Sequence, residues 1–501
     1  MSLLTGVMAG MVDFWRGGVL SPADEALMRA TQQVEGLRLA TMARARRAYS
    51  GNVGSALKVD AAAGEPDYNV AVNRIAAIVD TTVFYLFGQV PGWTLPDHAH
   101  GSEPPTTPAE TEGAEAGPDP GAAPDPCAAA LEECLRRTAW PSVALDWAHN
   151  GALTGTGYLG IRPAAPGTTY PRVQALDPES MTITTDPRDI DDVVGYTQLF
   201  DAGPDPATKK PTLVRKTIRK VVSPGGAVDW QIVDEHRVGG GPWVPDGDEL
   251  WGYPWPPILH CKNLPNPGSP YGRPDVPDDL IDLQLATNRV LTNRNKILYL
   301  HGHPQVWATG VTANMIVWGP GQIIVLPAAE SKIGQLVPAV TGAEAADLGR
   351  EFYEAMTEQS STPAVVLGRA TPQADPSGVA LQIEFGPLLR KTDVKRTLYG
   401  PAVIELFRRL LELMHDDPTL APTLAWPEIV PQSPLLERQA YQIDDTQGWA
   451  SKATIAAKLG YEADEEAAQI GAERAANPPP PPVAVPTPMP AGMGDAGAGE
   501  A

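Results

Sequence analysis

Cysteine is scarce. The 501 residues contain three, Cys127, Cys134 and Cys261. An odd, low count argues against a disulfide framework and for a reducing compartment. No CxxC pair or Cys/His cluster has zinc-site spacing. No apolar run reaches the roughly 18 residues of a membrane-crossing helix. The opening stretch MSLLTGVMAGMVDFWRGGVL is mildly apolar, but it lacks a basic leading region and carries Asp13 and Arg16. It does not read as a signal peptide. Positive charge is in deficit too: 38 Lys and Arg face 60 Asp and Glu, a net −22. Such a chain is soluble and repels nucleic acid on average. That excludes a protein that grips nucleic acid through a basic patch. There is no G-x-S-x-G, P-loop or H-E-x-x-H, so no enzyme activity is expected.

Apolar residues make up 43% of the chain, with 12 Trp and 13 Tyr, enough to bury real cores. The length predicts two or more domains. Residues 22–48 read as a helix, with Ser21-Pro22 at its start and Arg44, Arg46 and Arg47 at its far end, where cations suit the helix dipole. Residues 69–88 carry Val72, Ile75, Ile78, Val79, Val83, Leu86 and Phe87 at the spacing of a buried helix ended by Gly88. Residues 95–126 contain no Lys or Arg and have the composition of a disordered acidic insertion. Helical patterns return at CAAALEECLRRTAW and PSVALDWAHNGALTG. From 157 to 260 the segments MTITT, VVGYTQLFDA, TLVRKTIRKVVS and VDWQIVDEHRV, separated by turn signals, predict an antiparallel sheet with hairpins.

At Pro277 the pattern switches. Asp278 and Asp279 complement a helix start, and Leu280, Leu283, Val290, Ile297 and Leu298 form a stripe over residues 277–298, a rod of roughly 33 Å. Short strands follow at PQVWATG, MIVW and QIIVLP. A second helix runs to Ser360. The loop TPAVVLGRATPQADPSG then leads to a long helix over 376–416, with Asp375 as cap. Gly386-Pro387 and Gly400-Pro401 inside it predict a bend or a break into two or three segments. Beyond a helix, a turn at Gly448 and further helices, five consecutive prolines open an extended Gly/Ala/Pro tail.

Few residues read as chemistry. His301 and His303 are too few to bind a metal, and read as polar and partly exposed. DIDD at 189–192 reads as a solvated acidic turn rather than a calcium site. Cys261 and His260 are neighbours on a strand and point to opposite faces, which opposes a nucleophile–base pair. KKPTLVRKTIRK (209–220) is either a contact with DNA or a partner, or a solubilising, edge-protecting strand. RKTDVKR (390–396) reads as a solvated helix face or a source of ion pairs between subunits.

The order of parts resembles the portal proteins of tailed bacteriophages, of the siphophage type found in phages of actinobacteria, over roughly residues 40 to 475. NRIAAIVDTTVFYLFGQVP, LPNPGSPYGRPDVPDDLIDLQLATNRVLTNRNKI, SGVALQIEFGPLLRKTDVKR and WASKATIAAKLGYEADEEAAQIGAE carry the resemblance, in that order. It implies an α+β portal fold: an N-terminal helical wing part (1–156, with the acidic insertion at 95–126), a β-rich wing (157–276), stem helices at 277–303 and 342–361, and a small α/β clip between them (304–341). A tunnel loop (362–376), a long kinked helix returning to the wing (377–432), a helical crown (433–476) and a disordered tail (477–501) complete it. The insertion and the tail depart from the common pattern. The implied function is a ring of about a dozen copies at a capsid vertex, closed by one repeated interface. Double-stranded DNA is packaged and ejected through its channel. The implied partners are a terminase motor, the major capsid protein and a head-completion or adaptor protein, with no membrane and no cofactor. The location is the virion, and the host cytoplasm during assembly. Val365, Val366, Leu367, Gly368, Arg369, Thr371 and Gln373 would line the channel. Trp307, Trp318, Gln322 and Ile324 would meet the adaptor. Arg369 is the cation offered to DNA, an ion pair with a neighbouring copy being its alternative. A conduit must let a polyanion slide, so the acidic balance suits it. The competing readings are another phage head subunit, connector or capsid, and an uncharacterised enzyme.

Overall fold

A computed structural model describes residues 22–51, 67–95, 125–302, 305–310, 330–336, 342–368, 378–415, 420–427 and 434–448, with positions 451, 454, 455 and 469. The chain divides into a unit of Met1–Ile429 and a smaller one of Val430–Ala501. In the first unit, α1 (Pro22–Tyr49) precedes α2 (Arg74–Phe87), then β1 (Gly92–Thr94), α3 (Pro126–Thr138) and α4 (Trp140–Thr154). Asn73 caps α2, its side chain accepting the Ala76 N–H at 3.1 Å. This cap starts the helix five residues later than the sequence pattern predicts. Val72 is left outside it and 37% exposed, while the other six apolar residues of that pattern are buried. Asp125 accepts the Cys127 N–H at 2.9 Å and Pro126 fills the first position of α3. The acidic stretch therefore ends on a helix cap; its residues 96–124 lie outside those described.

The β-rich part forms two sheets rather than the one expected. β2 (Thr156–Arg162), β3 (Arg172–Leu176) and β9 (Ile258–Lys262) make a small sheet in the order β3-β2-β9. β4 (Met181–Asp186), β5 (Asp189–Pro204), β6 (Pro211–Val222), β7 (Val228–Val238) and β8 (Val244–Leu250) make an antiparallel meander in chain order. Tyr158 pairs with His260, and Leu159 with Leu259. Alternation along β2 sends Leu159 into the helical core and Tyr158 into a second core with Met181, Ile183, Tyr196, Ile218, Trp230 and Ile232. A strand buried on both faces loses the polar alternation that marks it in sequence.

β6 carries the basic stretch and is the middle strand of the meander, not an edge. Arg215 reaches Glu235 at 2.7 Å, Lys216 reaches Asp234 at 3.2 Å and Lys220 reaches Asp192 at 2.9 Å. Edge protection is thereby excluded: these cations answer carboxylates on the flanking strands.

The long elements follow: α5 (Asp278–Gly302), β10 (Gln305–Thr309), β11 (Lys332–Leu336), α6 (Gly342–Ser360), α7 (Gly378–His415) and β12 (Thr423–Ala425), which pairs with β1. β11 is a strand that its short, glycine-containing sequence hides; MIVW and QIIVLP lie outside the described residues. α7 is a single 38-residue helix through both prolines, not a series of segments. Pro387 and Pro401 are exposed, as are Ile383 and Thr397, whose carbonyls lose their intrahelical donors. Those carbonyls can therefore be hydrated. The glycine before each proline also relieves the clash that ordinarily ends a helix there. Tyr399, Val403, Leu406, Phe407, Leu410 and Leu411 of α7 are fully buried in the main core, with Trp147 and Phe87. Among the described residues, no helix is long and apolar enough to cross a membrane.

In the second unit, α8 (Pro434–Gln447) ends at Gly448, whose φ of +73° makes the turn. Ser451 Oγ then accepts the Thr454 N–H at 3.1 Å.

Candidate functional site

The turn after α6 contains four of the predicted channel residues. Val366 N–H donates to the Pro363 carbonyl and Gly368 N–H to that of Val365, both at 3.1 Å. Gly368 has φ +78° and open space where a Cβ would stand. Val365, Val366 and Leu367 are half-buried, and Leu367 packs on the chain's own main core. Part of the loop's apolar character therefore serves its own chain. Arg369, Thr371 and Gln373 lie outside the described residues, as do Trp318, Gln322 and Ile324. Trp307 sits on β10, 42% exposed. It faces Gly334 of β11, where any Cβ would lie 2.5 Å from the indole.

Beneath that turn lies a buried ionic cluster that the sequence reading misplaced. RKTDVKR is a solvated face only in part: Arg390, Asp393 and Val394 are exposed, but Lys395 is 1% exposed. Its ammonium bonds Asp275, whose side chain is fully buried. Lys391, one turn earlier, lies 3.0 Å from the same carboxylate and donates to the Ser360 carbonyl at 2.9 Å. Thr82 of α2 adds a hydroxyl bond to Asp275 at 3.2 Å. The Asp275 N–H donates to the Ala152 carbonyl at 2.7 Å. Asp275 stands just before α5, and Ser360 closes α6. The two lysines of α7 thus fasten the adjacent ends of both long helices. Burial alone would raise the Asp275 pKa, but the two ammoniums outweigh it and hold the carboxyl well below the usual range. Burial pushes Lys395 down to about 8 against the pull of Asp275, and Lys391 adds repulsion. One anion between two cations leaves a surplus positive charge in a dry site.

The base of this cluster is set by two glycines. Gly155, at φ +88°, lies against Gly272 so closely that a Cβ on it would stand 2.3 Å from the Gly272 carbonyl oxygen. Its own carbonyl accepts the Asn263 N–H at 2.8 Å. This close approach presses the segment bearing Asp275 onto the end of α4.

The second feature is a polar ladder on α5. Residues 68–73 run along it outside any helix and lead into Arg74, the first residue of α2. Val70 N–H donates to Thr292 Oγ1 (3.0 Å), Val72 N–H to Asn288 Oδ1 (3.1 Å) and Arg74 N–H to Gln284 Oε1 (3.0 Å). Gln284 Nε2 returns a bond to the Val72 carbonyl at 2.6 Å, and Asn295 Nδ2 reaches that of Tyr68 at 3.0 Å. The periods nearly match: four helical residues rise about 6 Å and two extended ones about 6.6 Å. The buried face of α5 beyond Ile281 is therefore polar. Gln284, Thr287, Asn288 and Thr292 are buried, while Leu298 of the expected apolar stripe is 54% exposed.

α6 turns Tyr353 and Met356 inward and exposes Glu344, Asp347, Glu351, Glu354 and Glu358. Their spacing of three and four places these carboxylates on one face. Arg350 answers Asp347 at 3.3 Å.

The sequence candidates for chemistry separate. His260 Nδ1 bonds the Tyr196 hydroxyl at 2.8 Å in the second core, while the Cys261 thiol lies in the first. Burial pushes His260 down to about 4 and the Cys261 thiol up. Asp191 and Asp192 face Lys262 and Lys220. His303 lies outside the described residues. Among those described, no group of three His, Cys, Asp or Glu could hold a metal.

No protein-family model matches the chain, and neither does any curated protein.

Proposed function

We propose that the chain is a portal subunit: copies close into a ring at a capsid vertex, and viral DNA passes through the central hole. The observation that carries this reading is the succession α5, β10–β11, α6, a tight turn and α7. Two rods are joined at one end by a strand-bearing insertion and held at the other by buried lysines of a long helix. Repeated by rotation, a pair of rods per copy makes a barrel. The carboxylates along one face of α6 support the same reading, because a lumen with that face inward offers DNA no row of cations to bind. In this arrangement α5 and α6 form the stem, β10 and β11 belong to the clip and Val365–Gly368 to the loop that narrows the channel. The motor, the capsid shell and the adaptor are separate proteins that dock on the ring.

The purified protein is expected to run as a closed ring near a dozen copies by native mass measurement, with a central hole in negative stain. A monomer or dimer under assembly conditions sinks the proposal. Within particles, Arg369→Ala is expected to cut DNA retention several-fold. Unchanged packaging and retention would remove Arg369 from the channel.

A further inference from the structure

α6 ends in an unusual way. Thr362 N–H donates to the Thr357 carbonyl and Ser361 N–H to that of Glu358, both at 3.1 Å. These are the paired bonds of a Schellman stop, whose left-handed position glycine normally fills. Here Ser361 fills it, at φ +55°. Thr362 beside it is completely buried. The arm 361–368 therefore has a left-handed residue at each end, Ser361 and Gly368. Along its length Leu367 rests on the core.

Lys391 sits at the base of this arm. Lys395 already answers the charge of Asp275, so Lys391 is the surplus cation of the cluster. Its particular contribution is the 2.9 Å bond to the Ser360 carbonyl. That carbonyl belongs to the last turn of α6, where helix geometry supplies no donor. We propose that Lys391 is a tether. It holds the end of α6 and the arm 361–368 down on α7, and its loss frees the arm while the core stays folded. Lys395 and Asp275 form the fixed anchor beneath it. The inference rests on contacts within one chain and stands whether or not copies close into a ring.

Hydrogen exchange on the full-length protein tests it. Lys391→Met is expected to speed exchange of the Thr362, Val366 and Gly368 amides at least tenfold, with the α7 amides from Leu406 to Leu411 unchanged. Ser361→Gly keeps the tether and relieves the left-handed residue, and is expected to slow the same three amides several-fold. Three results overturn the proposal: arm amides that ignore Lys391→Met, exchange that rises equally through α7, or arm amides that speed up in Ser361→Gly.

Discussion

Asp275→Asn is expected to lower the stability of the larger unit by about 3–5 kcal/mol, the cost of leaving a buried charge without its partner. The substitution keeps the shape and the bonds that an amide oxygen can accept. It removes the charge that balances two ammoniums, of which Lys395 is 1% exposed. Urea unfolding measures the loss as a fall in midpoint at constant slope. A loss under about 1 kcal/mol would mean that water reaches the cluster. Lys395→Met is expected to be far milder than Asp275→Asn, because Lys391 still answers the carboxylate.

The pH dependence follows with its sign. The folded carboxyl of Asp275 lies below its unfolded value of about 3.9. Its contribution is complete above that value and is lost as pH falls below it, because the folded state must take up a proton it resists. Lys395 behaves oppositely to a lysine that simply gains a partner. Its folded value is about 8, below an unfolded value of about 10.4, so between these the unfolded state binds more protons and stability rises with pH. Urea midpoints at pH 3, 5, 7 and 9 resolve both limbs. Asp275→Asn should flatten the acid limb, and Lys395→Met the alkaline rise.

The elements were legible where one face is apolar and the punctuation is local. The end of α6 at Ser360 and the antiparallel strands after Met181 follow from period and turn residues. The class, mixed α and β with antiparallel sheets, follows from the same signals. The sites were harder to read because their partners are distant in sequence. Lys391 and Lys395 differ from surface lysines only through Asp275, more than a hundred residues away. Asp275 itself stands beside Asp278 and Asp279, which complement a helix start, and local chemistry cannot separate the three. β6 looked like a free basic strand because its carboxylates lie on β5 and β7. The one local signal available for the cluster was the spacing Lys391-x-x-x-Lys395, one turn of helix, facing the same way as buried Thr392 and Tyr399.

Gln284→Leu is expected to cost about 2–4 kcal/mol, from roughly 1–3 kcal/mol for each buried polar group left unpaired. Gln284 is 1% exposed, and three bonds depend on its amide: from Arg74 N–H, to the Val72 carbonyl and to Asn288 Oδ1. Leucine fills the volume and satisfies none of them. Val70→Ala is expected to stay within about 1 kcal/mol, since the ladder binds the backbone of residues 68–74 and Val70 is only half-buried. The contrast separates a ladder that reads main chain from ordinary side-chain packing, in which trimming Val70 would cost as much as Gln284→Leu. Exchange gives a second reading. The Val70 and Val72 amides should exchange faster in Gln284→Leu, by the factor its stability loss predicts if the segment leaves only with global unfolding. A larger factor at those two amides means that residues 67–73 peel away from α5 on their own, with the other elements of the core still in place.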